Sequence, residues 1–248
     1  MGRTHALTGW CGGLVAAPLV GATNTASVLV FAVATTGAAL LPDFDHPNAK
    51  ATRLLGPATR LVGWALRRLS RLVYMATAAP SETGRKDPHR TLTHTLVFAV
   101  TLGVLVASVT AATGVAGALV VAGLMLLLAV DALGGWMFLA AAPGMVAAAV
   151  DPGALEQLPV ALGVAVGLGC VIHVLGDWAS EAPVPMLWPI PIGGKRWWPC
   201  NAPKLFRFRV GGKAETHLLV PLFAALGVLL IPGVGEAVGR MVDVMAAV

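Results

Sequence analysis

The chain has 248 residues, of which 57% are hydrophobic and only 12% charged, with a formal net charge of +5. Mean hydropathy is +0.80, and soluble domains carry about a quarter charged residues, so an ordinary soluble fold is excluded. The composition points to an all-α, polytopic transmembrane helical bundle forming a single integral-membrane domain over 1–248.

In chain order, apolar segments stand at about 6–22, 27–42, 94–113, 115–131, 134–150, 158–176 and 217–232. They predict six to seven membrane segments, since a spanning helix needs about 20 mostly apolar residues. The first two are short enough to be a re-entrant hairpin instead, and Pro143 and Gly144 interrupt the fifth. Arg3 followed by an apolar stretch resembles a signal peptide, but Gly12, Gly13 and Pro18 favour a retained first helix. After Pro232 the tail reads as a short amphipathic helix. Cys11, Cys170 and Cys200 are scattered and suggest neither disulfides nor a zinc finger.

Two connections are long. Within 50–88, Arg53, Arg60, Arg67, Arg68 and Arg71 alternate with Leu61, Val62, Trp64, Leu69 and Leu72. That pattern predicts a basic amphipathic helix on the membrane surface, with anionic lipid headgroups as partners, or else a solvated connector helix. Residues 178–216 hold six prolines together with Trp188, Trp197 and Trp198, as an irregular cytoplasmic cap at the membrane interface would.

If seven segments alternate, every polar cluster falls on one side, and so do 16 of the 17 Lys and Arg residues, leaving Arg240 apart. Excess Lys and Arg in short loops mark the cytoplasmic side. The clusters are therefore expected to face the cytoplasm or the cytoplasmic leaflet. Asn24, Asp151 and Glu156 are the notable polar residues of the opposite loops.

The clusters hold five of the six histidines. His5 opens the first segment, and Leu41-Pro42-Asp43-Phe44-Asp45-His46 ends the second. Pro42 stops the helix there, and a turn presents two carboxylates and an imidazole. Such oxygen and nitrogen donors suit zinc, manganese or iron; a water-facing polar turn is the plainer alternative. His89-Arg90-Thr91-Leu92-Thr93-His94 opens the third segment. Residues five apart on a helix do not share a face, so Pro88 and His89 are placed before the helix and Thr91 or Thr93 at its cap. Arg90 is suited to binding a phosphate or carboxylate there. His173 and Asp177, four apart, share one helix face, and ionisable groups that deep suggest function, either as two ligands or as a ligand and its orienting partner. Asp131, Glu181, Glu215 and His217 fall on the same side in secondary roles.

Together these motifs resemble the YdjM-like family of bacterial inner-membrane proteins, described as membrane-bound metal-dependent hydrolases. The likeness rests on His5, the 41–46 turn, His89-Arg90-x-x-Thr93-His94 and His173-x-x-x-Asp177, and departs at Trp178-Ala179-Ser180-Glu181. It implies a polar site of His5, Asp43, Asp45, His46, His89, Arg90, His94, His173 and Asp177. The expected roles are metal ligation by His5, Asp43, His46, His94, His173 and Asp177, with zinc first, one or two ions, and manganese or iron as alternatives. Asp45 or His89 would act as orienting partner or proton shuttle, and Arg90 would stabilise negative charge. The expected substrate is a small or lipid-like phosphoester or amphiphile. A transporter or metal-ion carrier, and a scaffold with a structural metal, are the competing functions. The arginines lack the pattern of a nucleic-acid-binding fold, so no such partner is expected.

Overall fold

The computed structural model describes residues 1–82, 89–150 and 158–246; Pro88, Asp151 and Glu156 lie outside them. The described residues are helical, with three isolated bridges and no strand. The helices are α1 (Gly2–Ala16), α2 (Thr25–Ala38), α3 (Pro57–Thr77), α4 (Leu96–Leu133), α5 (Trp136–Val150), α6 (Leu158–Trp178), α7 (Val220–Leu229) and α8 (Val234–Ala246).

Among them, three helical stretches are long and apolar enough to cross a membrane: 25–45, 96–133 and 158–178. A fourth arises if the pair 215–229 and 234–245, bent by 92°, is one span. The count of six to seven segments is thus not reached by length and composition. The reason is helix length. At about 1.5 Å per residue, the 15 residues of α1 or α5 rise about 22 Å, short of a bilayer core of about 30 Å. The third and fourth expected segments both lie in α4, which is two helices joined at a kink. The kink is Gly114, with φ 65° and ψ −152°, a positive-φ conformation open to glycine, at the residue between the two expected segments.

Helix α2 is the centre of the bundle, packing on α1, α4, α5 and α6. Small residues make this possible. A Cβ on Gly13 would stand 2.6 Å from Ala32 Cα, and one on Gly37 would stand 2.1 Å from the Met125 carbonyl oxygen. In apolar surroundings helices associate through such close backbone contact rather than through the hydrophobic effect. Between α6 and α2 the decisive position is Gly169, where a Cβ would lie 2.6 Å from Ala38 Cβ and 2.7 Å from the Thr35 carbonyl oxygen. The N-terminal ends of α1 and α4 therefore meet the C-terminal ends of α2 and α6, and the polar clusters meet there.

Helix α3 is amphipathic in three stripes rather than two. Thr59, Gly63, Ser70 and Tyr74 are buried against the protein. Leu61, Val62, Leu69, Leu72 and Met75 form an exposed apolar face, and Arg60, Arg68 and Arg71 lie exposed along its edge. The segment 178–216 is irregular but tied to the end of α3. Trp197 donates its backbone N–H to Glu82 Oε1 at 2.8 Å and its indole N–H to Thr77 Oγ1 at 3.1 Å, and stacks on Trp188 at 4.9 Å. The Tyr74 hydroxyl donates to the Glu82 carbonyl, closing the same corner.

Gly169→Val is expected to force α2 and α6 apart and destabilise the protein by about 1–3 kcal/mol, the usual cost of overpacking. Thermal unfolding in detergent checks this, with Gly123→Val, which has open space around it, as the control.

Candidate metal centre

Pro42 ends regular α2, and the 3-10 turn Pro42–Asp45 carries Asp43 and Asp45 across the end of the bundle. A second 3-10 turn, Leu92–His94, does the same for His94 before α4 begins. The cap of α4 is Thr95, whose hydroxyl accepts from the Phe98 N–H at 3.1 Å, and not Thr91 or Thr93 as expected. This difference frees Thr93 for the site. Because 89–94 is not α-helical, His89 and His94 can face one another, with ring centroids 5.1 Å apart.

The hydrogen bonds settle which nitrogen of each ring faces inward. His173 Nδ1 lies 2.8 Å from the Ala39 carbonyl, which only accepts, so Nδ1 carries the hydrogen and Nε2 presents a lone pair. Thr93 gives its single hydroxyl hydrogen to Asp45 Oδ2 at 2.7 Å, and hence accepts from His94 Nδ1 at 2.9 Å. His94 Nε2 is then a lone pair as well. His89 Nδ1 donates to Asp45 Oδ1 at 2.6 Å, which orients its ring. Such second partners commonly orient metal-binding histidines.

The inward atoms lie close together. His94 Nε2 is 3.3 Å from His173 Nε2 and 3.2 Å from Asp177 Oδ2. His173 Nε2 is 3.8 Å from the same oxygen and 3.6 Å from Asp43 Oδ1. His5 stacks on His173 at 3.9 Å and brings Nε2 to 3.4 Å from Asp177 Oδ1. Neither His5 Nε2 nor Asp177 Oδ2, both buried, makes a hydrogen bond among the described residues. Three groups can hold an ion: His5, Asp43 and His173; Asp43, His89 and His94; and His94, His173 and Asp177.

This donor set fits a metal. Two ligands on a tetrahedral zinc at about 2.0–2.1 Å stand about 3.3 Å apart, close to the spacing of His94 with His173 and with Asp177. Without a cation, lone pairs and carboxylate oxygens face each other with no hydrogen between them. The cluster's charge points the same way. Among the described residues, Asp43, Asp45 and Asp177 gather with one guanidinium, Arg90, which pairs with Asp177, and uncompensated buried charge is costly. At His89 burial disfavours the proton, but the Asp45 hydrogen bond and the charges of Asp45 and Asp43 outweigh it and raise the pKa above its usual value. The carboxylates thus draw positive charge to that position.

Not every expected residue takes its expected place. His46 belongs to none of the three groups: its Nδ1 accepts from the Asn48 N–H at 3.2 Å, and its ring meets His89 edge-on at 4.8 Å. Arg90, at φ 57°, donates to Asp177 Oδ1 at 3.0 Å, Ser180 Oγ at 3.2 Å and the Ala182 carbonyl at 2.6 Å. It therefore holds Asp177 and the start of the 178–216 segment, a different use from stabilising a substrate's charge. Glu215 accepts from Thr4 at 2.5 Å and pairs with the Met1 ammonium at 3.3 Å, anchoring the start of α1 beneath His5. Asp131, Glu181 and His217 are exposed and lie outside the three groups. Thr93, Ser180 and the Ala39 carbonyl are the supporting groups that sequence reasoning missed. Of these only Thr93 carried a signal, as a threonine inside the 89–94 motif.

A helical membrane protein with a buried His/Asp cluster able to hold metal is the class these features define. Over residues 1–231 the sequence matches the family described as YdjM inner membrane protein, and the chain belongs to that family. No curated protein and no solved structure matches it significantly.

Thr93→Val is expected to leave Asp45 Oδ2 and His94 Nδ1 without their shared partner. The loss should be about 1–3 kcal/mol, typical of a buried polar group left unsatisfied, read by chemical unfolding in detergent. Arg90→Ala should cost more, about 3–5 kcal/mol by the same measurement, because it leaves a buried carboxylate unpaired.

Proposed function

We propose that the protein is a membrane-bound metal-dependent hydrolase, with its site facing the cytoplasm and a phosphoester or amphiphile of the membrane surface as substrate. The observation that carries the metal is the set of inward lone pairs on His94 and His173, held 3.3 Å apart with the unbonded Asp177 Oδ2 beside them. His94, His173 and Asp177 would hold a divalent transition ion, zinc by donor type, with His5 and Asp43 adjacent. Such an ion supplies Lewis acidity and brings the deprotonation of water toward neutral pH.

The chain's own residues divide the remaining work. Ala39 and Thr93 fix the rings of His173 and His94, and Arg90 fixes Asp177. His89, oriented by Asp45, lies at the more open edge and is suited to carry a proton to or from a substrate oxygen. Side-chain exposure is 25% for Asp43 and 20% for His89 against 0–2% for His5, His94, His173 and Asp177, so a substrate approaches from that edge. The turn holding Asp43 packs on α3, whose apolar face and arginines suit an anionic lipid surface. A lipid-like substrate would therefore arrive beside the opening. The cytoplasmic orientation is supported by the distribution of Lys and Arg. The cluster's position at helix ends argues against a carrier, whose sites usually lie near the bilayer midplane.

Detergent-purified protein is expected to contain transition metal by elemental mass spectrometry, and His94→Ala and Asp177→Asn to lose most of it while remaining helical. Metal-loaded wild type should hydrolyse a phosphoester or lipid-phosphate substrate, with both variants reduced at least a hundredfold. Metal-free folded protein that gains no thermal stability from added zinc would overturn the proposal. Arg60→Gln, Arg68→Gln and Arg71→Gln together should lower the anionic phospholipid retained through purification, measured by lipid mass spectrometry.

A further inference from the structure

The three ion-holding groups overlap, and the overlap is uneven. His94 and His173 each lend one nitrogen, Nε2, because their Nδ1 atoms are committed to Thr93 and Ala39. With Asp177 Oδ2 these two nitrogens form the tightest set, at 3.2, 3.3 and 3.8 Å, all from fully buried residues. An ion there uses both nitrogens, so the other two groups keep only His5 with Asp43 and His89 with Asp43.

Asp43 is what those other two groups have in common. It joins His5 and His173 in one and His89 and His94 in the other. Its Oδ1 stands 3.6 Å from His173 Nε2 and 3.9 Å from His94 Nε2, at the rim of the inner set, and a carboxylate has a second oxygen to offer. On its outer side is His89, whose ring is oriented by Asp45 and which is grouped with Asp43 as a possible ligand.

We infer that the centre holds two divalent ions of unequal affinity: an inner ion on His94, His173 and Asp177, and an outer ion on Asp43 and His89, with Asp43 bridging them. The inference rests on the metal-dependent reading above. The inequality follows from charge and burial. Among the described residues, three carboxylates and one arginine leave two negative charges, which the inner dication would neutralise. The outer ion meets no uncompensated charge, has fewer protein ligands, and sits at the partly exposed edge. Its binding makes the centre net positive, which suits an anionic group such as a phosphate and explains why the outer position lies where substrate would enter.

The test is a manganese titration of the full-length protein in detergent, followed by electron paramagnetic resonance, with and without inorganic phosphate. The wild type should take up one equivalent tightly and a second at least tenfold more weakly, with phosphate tightening the second. A spin-coupled signal should appear only as the second fills. His89→Ala should keep the tight equivalent and lose the coupled signal. Asp43→Asn should lose the coupling, with thermal unfolding confirming that both variants fold. A wild type that saturates at one equivalent, or binds two without coupling, overturns the bridged pair and leaves the single-metal reading standing. Two equally tight equivalents overturn the inequality. No bound manganese or zinc at all overturns the metal-dependent reading itself.

Discussion

Everything at the functional end of this protein answers to one constraint, the burial of like-signed groups. Three aspartates and the lone pairs of at least two imidazoles converge where four helix ends meet, with Arg90 as the one guanidinium among the described residues there. In so apolar a setting repulsion of this kind is costly unless compensated, and the cluster is one that could hold a cation. A cation held there would tie α1, α2, α6 and the turn before α4 together.

The constraint is met by backbone more than by side chains. His173 is aimed by the Ala39 carbonyl, which is in reach because Gly169 lets α6 lie against α2. His94 is aimed through Thr93 and Asp45, and Asp45 also aims His89, so one buried carboxylate sets two rings. Arg90 adopts a left-handed backbone conformation to reach Asp177 and the segment after it. Residues that look like spacers, namely Ala39, Thr93 and Gly169, thus set the precision of the site.

The short helices make sense in the same terms. α1 is too short to span a bilayer alone, but its buried residues pack on α2, α6 and α7, and its N-terminus is held through Glu215. Its main product is the position of His5. α3 lies beside the 42–45 turn with an apolar face outward, close to the open edge of the site.

The sequence by itself determined the class and most of the site. An apolar composition leaves no soluble alternative, and polar residues in such a chain are so few that His5, Asp43, Asp45, His89, His94, His173 and Asp177 stand out. The break near residue 114 and the amphipathic stretch near 57–77 were legible because periodicity and glycine act locally. Only the tertiary structure decided how many helices are long enough to span, that Thr95 and not Thr91 or Thr93 caps α4, that His46 turns to Asn48, and that Arg90 is held by Asp177. Each depends on which partner lies within about 3 Å of a hydrogen-bonding group, and that distance is set by helices packing through glycine contacts far apart in the chain.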